Sequence, residues 1–232
     1  MVDLNKHKFF MLQILKEIYS DIELANYLGF KGGTALMFFY DLPRFSIDLD
    51  FNLLNAEKED IVYQKVRNII LKFGTIHDEA KKFYGPLIVL DYGIGERKLK
   101  IEISNRVFDN RYEVKSLLGI RMKVMVLSDM FTHKLCALLD RNELTNRDIF
   151  DVHFFMNLRT PVNKQLIETR MQITYEAYLE KCITSLEKLS DRGILNGLGE
   201  LMDDETKKFV RTKLRTETIE LLRMYKEFPI LE

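Results

Sequence analysis

The sequence contains few of the residues that form disulfide frameworks or zinc sites. Its 232 residues include two cysteines and four histidines. Cys136 and Cys182 lack the spacing of a metal site, and both lie in apolar helical patterns. We therefore expect two buried free thiols rather than a disulfide. The histidines are scattered along the chain and form no ligand pattern.

The sequence also has no long hydrophobic run. The longest stretch without a charged residue, Gly32–Tyr40, is far shorter than the roughly 20 apolar residues of a membrane span. Charges at Lys16, Glu17 and Asp21 interrupt any signal-peptide pattern near the N-terminus. We therefore expect a cytoplasmic chain with no membrane partner.

Neither sign of charge is in excess, since 35 basic residues balance 35 acidic ones. The sequence therefore gives no overall electrostatic argument for nucleic-acid binding. The distribution is uneven, however, because residues 41–60 are acidic and residues 96–134 are basic. This pattern suits a phosphate-rich substrate, and it equally suits ordinary mixing of surface charge.

Hydrophobic periodicity predicts an α/β fold in the first half of the chain and helices in the second. Strands are expected at 28–31, 46–54, 87–91, 99–104 and 120–127, with helices at 6–27, 34–40 and 57–73. Later helices are expected at 129–140, 146–158, 163–189 with a break, and 204–227. We therefore expect an α/β core over residues 1–127 and a helical C-terminal lobe over residues 128–232.

The predicted strand at 46–54 carries two carboxylates on one face. Apolar residues alternate strictly with polar ones there, which places Asp48 and Asp50 about 6–7 Å apart on the face opposite the core. No basic residue lies between them, so they repel unless a positive charge is nearby. A divalent ion is the usual solution, and carboxylate oxygens suit Mg²⁺. A solvated polar face is the alternative.

A paired-glycine turn precedes this strand. Gly32 and Gly33 lie between a short predicted strand and a predicted helix, where glycine lets the backbone approach a phosphate closely. The N–H groups at a helix N-terminus favour anions. A glycine pair alone is weak, but its combination with the two acids predicts a site for a nucleoside triphosphate and magnesium.

Four further residues are candidates for the same chemistry. Glu102, on the polar face of the 99–104 strand, is a possible third carboxylate, or a surface acid paired with Lys100 or Lys98. Lys134 and Arg141 share one helix face and could hold a triphosphate; alternatively, one is an exposed lysine and the other a cation at a helix C-terminus. Asp148 is the last candidate, and its alternative is structural, because it follows Thr145 in the spacing of a capping box.

Three motifs together resemble one known family. They are KGGTAL at residues 31–36, R-x-S-x-D-L-D-F at residues 44–51, and K-x6-R-x5-R-D at residues 134–148. In this order they are similar to the signature of the AbiEii/AbiGii-type nucleotidyltransferase toxins, which include the MenT toxins. The resemblance implies a mixed sheet flanked by helices, a helical C-terminal lobe, and a bacterial toxin of an abortive-infection or toxin–antitoxin system.

The resemblance also implies residue roles. Gly32, Gly33 and Thr34 would cradle phosphates, and Asp48 and Asp50 would bind Mg²⁺. Lys134 would bind the triphosphate, Asp148 would complete the active site, and Glu102 is the less secure third carboxylate. The nucleotide-binding set would also include Arg44, Ser46, Arg141 and Arg147, of which Ser46 matches a serine that a kinase-like antitoxin phosphorylates in some relatives.

The expected reaction is transfer of a nucleoside monophosphate from a triphosphate to an acceptor, with release of pyrophosphate. The 3′ end of tRNA is the acceptor that the resemblance favours, and a cognate antitoxin is the expected protein partner. Two alternatives stay open. In the first, the acceptor is a hydroxyl of a protein or of a small molecule. In the second, the chain is a non-catalytic module that binds a nucleotide.

Overall fold

A computed structural model describes residues 3–140 and 144–232. The chain divides into two compact units. The first comprises Met1–Asp41 and Phe45–Met125, and the second comprises Leu42–Arg44 and Val126–Glu232. Within the described residues, no helix is both long enough and apolar enough to cross a membrane.

The first unit contains a seven-stranded mixed sheet flanked by helices, as the predicted fold class requires. Its strands are β1 (Leu28–Lys31), β2 (Asp48–Leu53), β3 (Thr75–Lys82), β4 (Gly85–Asp91), β5 (Leu99–Ser104), β6 (Tyr112–Leu117) and β7 (Ile120–Met125). Their spatial order is β3-β4-β5-β2-β1-β7-β6. The β2–β5 and β1–β7 pairs are parallel and the others are antiparallel.

The described residues of the first unit form the α-helices α1 (Leu4–Ser20), α2 (Ile22–Tyr27), α3 (Gly32–Phe39) and α4 (Glu59–Ile70), with a short 3-10 helix at Ala56–Lys58 before α4. The single helix predicted over 6–27 is wrong, because the Asp21 side chain accepts the N–H groups of Glu23 and Leu24 and begins a second helix there. Helix α3 packs on β1 and β2, and α1 packs on β7.

The core of the first unit follows the predicted alternation in β2. Leu49 and Phe51 are fully buried, and the Phe51 ring packs against Phe30 of β1 with 5.4 Å between ring centroids. The strand is shorter than predicted, because Ser46 and Ile47 make no ladder pairing. The two strands at the sheet edges, β3 and β6, were not predicted from the sequence.

The second unit is helical, as predicted for the C-terminal part. Its helices are α5 (Leu127–Asp140), α6 (Asn146–Asn157), α7 (Lys164–Met171), α8 (Tyr175–Glu187), α9 (Asp204–Thr212) and α10 (Leu214–Glu227), with a 3-10 turn at Gly199–Leu201. The single helix predicted over 204–227 is wrong, because it divides at Lys213. Helix α10 packs on α6 and α8, and α5 packs on α6 and α7.

Aromatic side chains and two thiols fill the core of the second unit. Phe131 and Phe155 stack with 5.0 Å between ring centroids, and the Tyr178 hydroxyl donates to the Leu135 carbonyl over 2.7 Å. Cys136 and Cys182 are buried free thiols, which confirms the prediction. Burial raises the pKa of each thiol to about 12.

Candidate active site

Four charged side chains of β2 and β5 share one face of the sheet in the first unit. The parallel β2–β5 register pairs Asp48 with Lys100 and Asp50 with Glu102. Because paired residues of neighbouring strands point to the same face, all four lie opposite the buried face that carries Leu49. The sequence correctly placed both aspartates on one polar face, and the register adds Lys100 beside them.

Lys100 supplies positive charge among these carboxylates. Its Nζ lies 3.5 Å from Asp48 Oδ2 and 3.3 Å from Glu102 Oε2. From the sequence, a metal ion is the expected positive charge beside the two aspartates, and Lys100 is expected only as a surface partner of Glu102. That surface pair is present, and the Glu102 side chain is 43% exposed.

The electrostatics of this cluster reflect burial and mutual charge. Burial raises the pKa of the half-buried Asp50 and the Asp48 carboxylate adds to the rise, while Lys100 partly opposes it. Burial by itself lowers the pKa of Lys100, but the three surrounding carboxylates outweigh it, so the net shift is upward. The cluster is therefore one that attracts further positive charge.

Asp48 and Asp50 provide the oxygen donors that magnesium prefers. In the part of the chain that the structure describes, no group of three or more His, Cys, Asp or Glu residues is gathered closely enough to hold a metal. Glu102 is directed to Lys100 instead. The donor set therefore suits an ion held by two protein carboxylates, with its other ligands coming from water or a phosphate-bearing substrate.

The glycine turn lies directly against this acidic pair. Helix α3 begins at Gly32, whose φ is +80°, and a Cβ atom there would lie 2.5 Å from Asp50 Oδ2. Only glycine avoids both the strained backbone and this collision. The Thr34 hydroxyl is buried and donates to the main-chain carbonyl of Asp48. The start of α3 is therefore fixed beside both aspartates.

The segment before β2 is also held in place. Ser46 is buried, and its N–H contacts the Met37 sulfur over 3.3 Å. The carbonyl of Ile47 accepts a hydrogen bond of 2.8 Å from His7 Nε2, while His7 Nδ1 and the Tyr92 hydroxyl are 2.6 Å apart. Sequence reasoning gave His7 no role, because nothing in the spacing connects it with residue 47.

A second charged cluster lies inside the helical unit. Lys134 Nζ of α5 is 2.8 Å from Asp151 Oδ2 and 3.3 Å from Asp148 Oδ1, both on α6. Arg44 Nε and Nη2 each donate to the Asp151 carboxylate over 2.7 Å. Asp151 is fully buried and the Arg44 side chain is 3% exposed. The alternative that Lys134 is an exposed lysine is therefore wrong.

Asp151 is the central residue of this cluster, and the sequence analysis did not select it. Burial raises its pKa, but Arg44 and Lys134 outweigh that effect and hold the pKa at about 2. Burial lowers the pKa of Lys134, and the Asp151 and Asp148 carboxylates raise it further than burial lowers it. In the sequence, the feature that could have identified Asp151 is its position one helical turn after Asp148, on the same face of α6.

The other predicted residues of this region are placed differently. The Thr145 hydroxyl donates to Asp148 Oδ2 over 2.7 Å and accepts the Asp148 N–H, so the capping interaction is present together with the ion pair to Lys134. The side chain of Arg147, a half-buried residue of α6, makes no hydrogen bond or ion pair to residues 3–140 or 144–232. Arg141 lies outside the described residues.

Solved structures share this fold across almost the whole chain. JHP933 from Helicobacter pylori has a TM-score of 0.66 at 22% identity, covering 99% of this chain and 95% of that one. A putative nucleotidyltransferase from H. pylori has a TM-score of 0.64 at 22% identity, covering 97% and 95%. MenT4, a nucleotidyltransferase toxin from Mycobacterium tuberculosis H37Rv, has a TM-score of 0.59 at 17% identity, covering 92% and 82%. At these identities the comparison shows the fold.

A comparison with curated proteins gave no significant match. The family comparison is decisive, because the family model described as "Nucleotidyl transferase AbiEii toxin, Type IV TA system" matches residues 13–223. That range contains both charged clusters and all three motifs from which the resemblance was drawn. The chain therefore belongs to the AbiEii nucleotidyltransferase toxin family of toxin–antitoxin systems.

Proposed function

We propose that this protein is a magnesium-dependent nucleotidyltransferase that moves a nucleoside monophosphate from a triphosphate to a hydroxyl acceptor in the cytoplasm. The observation that supports this most directly is the juxtaposition of Asp48, Asp50 and Gly32. Two carboxylates share one face of β2, and the first residue of α3 packs against one of them.

The site residues of the first unit have the following roles in this proposal. Asp48 and Asp50 hold Mg²⁺, which neutralises charge on the triphosphate and activates the attacking oxygen when bound. Main-chain N–H groups at Gly33 and Thr34 face the phosphates, since helix N-termini favour anions. Thr34 acts through its backbone, because its hydroxyl is already bonded to the Asp48 carbonyl. Glu102 is assigned to Lys100 rather than to the metal.

The second unit carries cations that are held by buried carboxylates. Lys134 is proposed to bind the triphosphate, with Asp148 and Asp151 fixing its ammonium group. Arg147, half-buried and without a partner in the described part of the chain, is a further candidate for phosphate binding. Arg44 is given a positioning role, because both its Nε and Nη2 atoms are bonded to Asp151.

The reaction forms one bond and breaks one. The acceptor oxygen attacks the α-phosphorus, the bond from that phosphorus to the bridging oxygen breaks, pyrophosphate leaves, and the hydroxyl proton passes to solvent. Cationic groups and main-chain N–H groups stabilise the negative charge that develops on the phosphates. We take the 3′ end of tRNA as the acceptor, following the family resemblance, and a cognate antitoxin as the regulating partner.

The test is transfer of label from each α-³²P nucleoside triphosphate to total bacterial tRNA with Mg²⁺. The wild-type chain is compared with Asp48→Asn, which keeps the side-chain shape and removes the charge. Asp78→Asn is the matched control, because Asp78 is an exposed aspartate on β3, away from the β2–β5 pair. We expect Asp48→Asn to lose transfer by about 100-fold or more, and Asp78→Asn to keep it.

The outcomes separate the alternatives. Label on tRNA that requires Asp48 establishes transfer to RNA and names the nucleotide. Label only on added protein or small-molecule hydroxyls keeps the metal site and replaces the acceptor. Nucleotide binding without pyrophosphate release, with any acceptor, means a binding module and refutes the proposed activity.

A further inference from the structure

Lys100 lies within the acidic cluster of the first unit, and the proposed chemistry gives it no role of its own. Its ammonium lies 3.5 Å from Asp48 Oδ2 and 3.3 Å from Glu102 Oε2, and the charge of Asp50 acts on it as well. Lys31, which pairs with Asp50 in the β1–β2 register, also lowers the pKa of that carboxyl. The acidic pair is thus partly neutralised by the chain's own lysines.

This arrangement affects how a divalent ion enters. An ion bound to Asp48 must share that carboxylate with an ammonium group, so like charges are brought together. A nucleoside triphosphate arrives with several negative charges, which can balance both Lys100 and the ion. Free metal and metal bound to a triphosphate should therefore bind with very different affinity.

We propose that Lys100 is a built-in counter-ion of the Asp48–Asp50 pair that opposes binding of free divalent ions and makes metal loading dependent on the nucleotide. This inference rests on the proposed function, because it assumes that Asp48 and Asp50 bind the metal. It assigns Lys100 a positioning and regulatory role that the sequence motifs do not indicate. In this role the lysine partly neutralises the acidic pair until the charged substrate enters.

The chain provides a well-matched control in Lys98. Its side chain is 38% exposed against 37% for Lys100, and it lies two residues earlier in the sequence. Lys98 Nζ is 3.6 Å from Asp91 Oδ2 and 2.6 Å from His77 Nδ1, so it pairs away from Asp48 and Asp50. Lys98→Gln therefore removes the same charge from the same segment without changing the acidic pair.

The experiment measures Mn²⁺ affinity by electron paramagnetic resonance in the wild-type, Lys100→Gln, Lys98→Gln and Asp48→Asn proteins, each with and without a non-hydrolysable triphosphate. Removal of one positive charge about 6 Å from a divalent ion is worth about tenfold in affinity even at the dielectric constant of water. We expect nucleotide-free Lys100→Gln to bind Mn²⁺ at least about tenfold more tightly than wild type. Lys98→Gln should stay within about twofold, and the enhancement by nucleotide should shrink only in Lys100→Gln.

The results distinguish this inference from the proposed function. If Lys100→Gln binds free Mn²⁺ no more tightly than Lys98→Gln, or more weakly, the counter-ion role is wrong. If the wild type still binds Mn²⁺ with the triphosphate in an Asp48-dependent way, the proposed function survives that failure. If the wild type binds no Mn²⁺ with or without the triphosphate, although thermal unfolding shows that it is folded, both the counter-ion role and the proposed function are wrong.

Discussion

The buried Asp151 carboxylate is expected to contribute more to stability than any exposed ion pair of this protein. Asp151→Asn keeps the shape of the side chain but removes one negative charge from a cluster in which Arg44 and Lys134 are balanced by Asp148 and Asp151. Removal of one partner from a buried ion pair costs about 3–5 kcal/mol. The unfolding free energy measured by urea titration should fall by that amount.

The pKa of Asp151 gives a second measure of the same interaction. Its value of about 2 is roughly two units below that of an unpaired aspartate, which corresponds to about 2–3 kcal/mol. Because the folded-state pKa is lowered, this stability is present above about pH 4 and is lost as the pH falls towards 2. For a chain of this length, a loss of 3–5 kcal/mol lowers the melting temperature by roughly 6–20 °C.

Asp191→Asn is the matched control for this prediction. Asp191 also receives two hydrogen bonds from one arginine, with Arg215 Nε at 2.6 Å and Nη2 at 3.0 Å, but its side chain is 50% exposed. An exposed pair contributes about 0.2–1 kcal/mol. If Asp151→Asn and Asp191→Asn destabilise the protein equally, burial is not what makes the first pair strong, and the reasoning is refuted.

Three further predictions concern other parts of the chain. Gly32 and Gly119 both have a φ of +80°, so Gly32→Ala and Gly119→Ala should each lower the unfolding free energy in urea by about 1–3 kcal/mol. Only Gly32→Ala should lose nucleotidyl transfer, because a Cβ at Gly119 meets no atom within 4 Å. Equal transfer activities of the two variants would contradict this. Burial lowers the pKa of His7, so the unfolded chain takes up a proton more readily than the folded chain as the pH falls. His7→Gln should therefore reduce the stability lost between pH 7.5 and 5.5, and an unchanged pH dependence in urea unfolding would contradict this. Cys136 and Cys182, buried thiols whose pKa is raised to about 12, should react with a disulfide reagent only after unfolding, so rapid labelling of the native protein would disprove their burial.

The parts of the fold that the sequence predicted share a strong local signal. In β2 the apolar residues Leu49, Phe51 and Leu53 alternate with polar ones, so both the strand and its acidic face could be predicted. The edge strands β3 and β6 were missed because much of each strand is exposed on both faces, which removes the alternation. Their pairing depends on neighbouring strands rather than on their own pattern.

The same distinction applies to the candidate site. The aspartates and the glycine turn belong to local motifs, and the sequence could place them. Lys100 reaches Asp48 only through the β2–β5 register, and Arg44 reaches Asp151 across 107 positions of sequence. Such partners depend on tertiary packing, which a single sequence does not reveal. The structure therefore adds the counter-charges to motifs that already supplied the acids.

The placement of Leu42–Arg44 has a consequence for how this protein can be divided. These three residues belong to the helical unit, although the residues on both sides of them belong to the sheet-containing unit. A cut after Met125 would leave Asp151 in a fragment without Arg44, and a buried carboxylate would lose its strongest partner. No single cleavage point yields two intact units. Recombination or truncation at the apparent boundary should therefore destabilise the helical unit first.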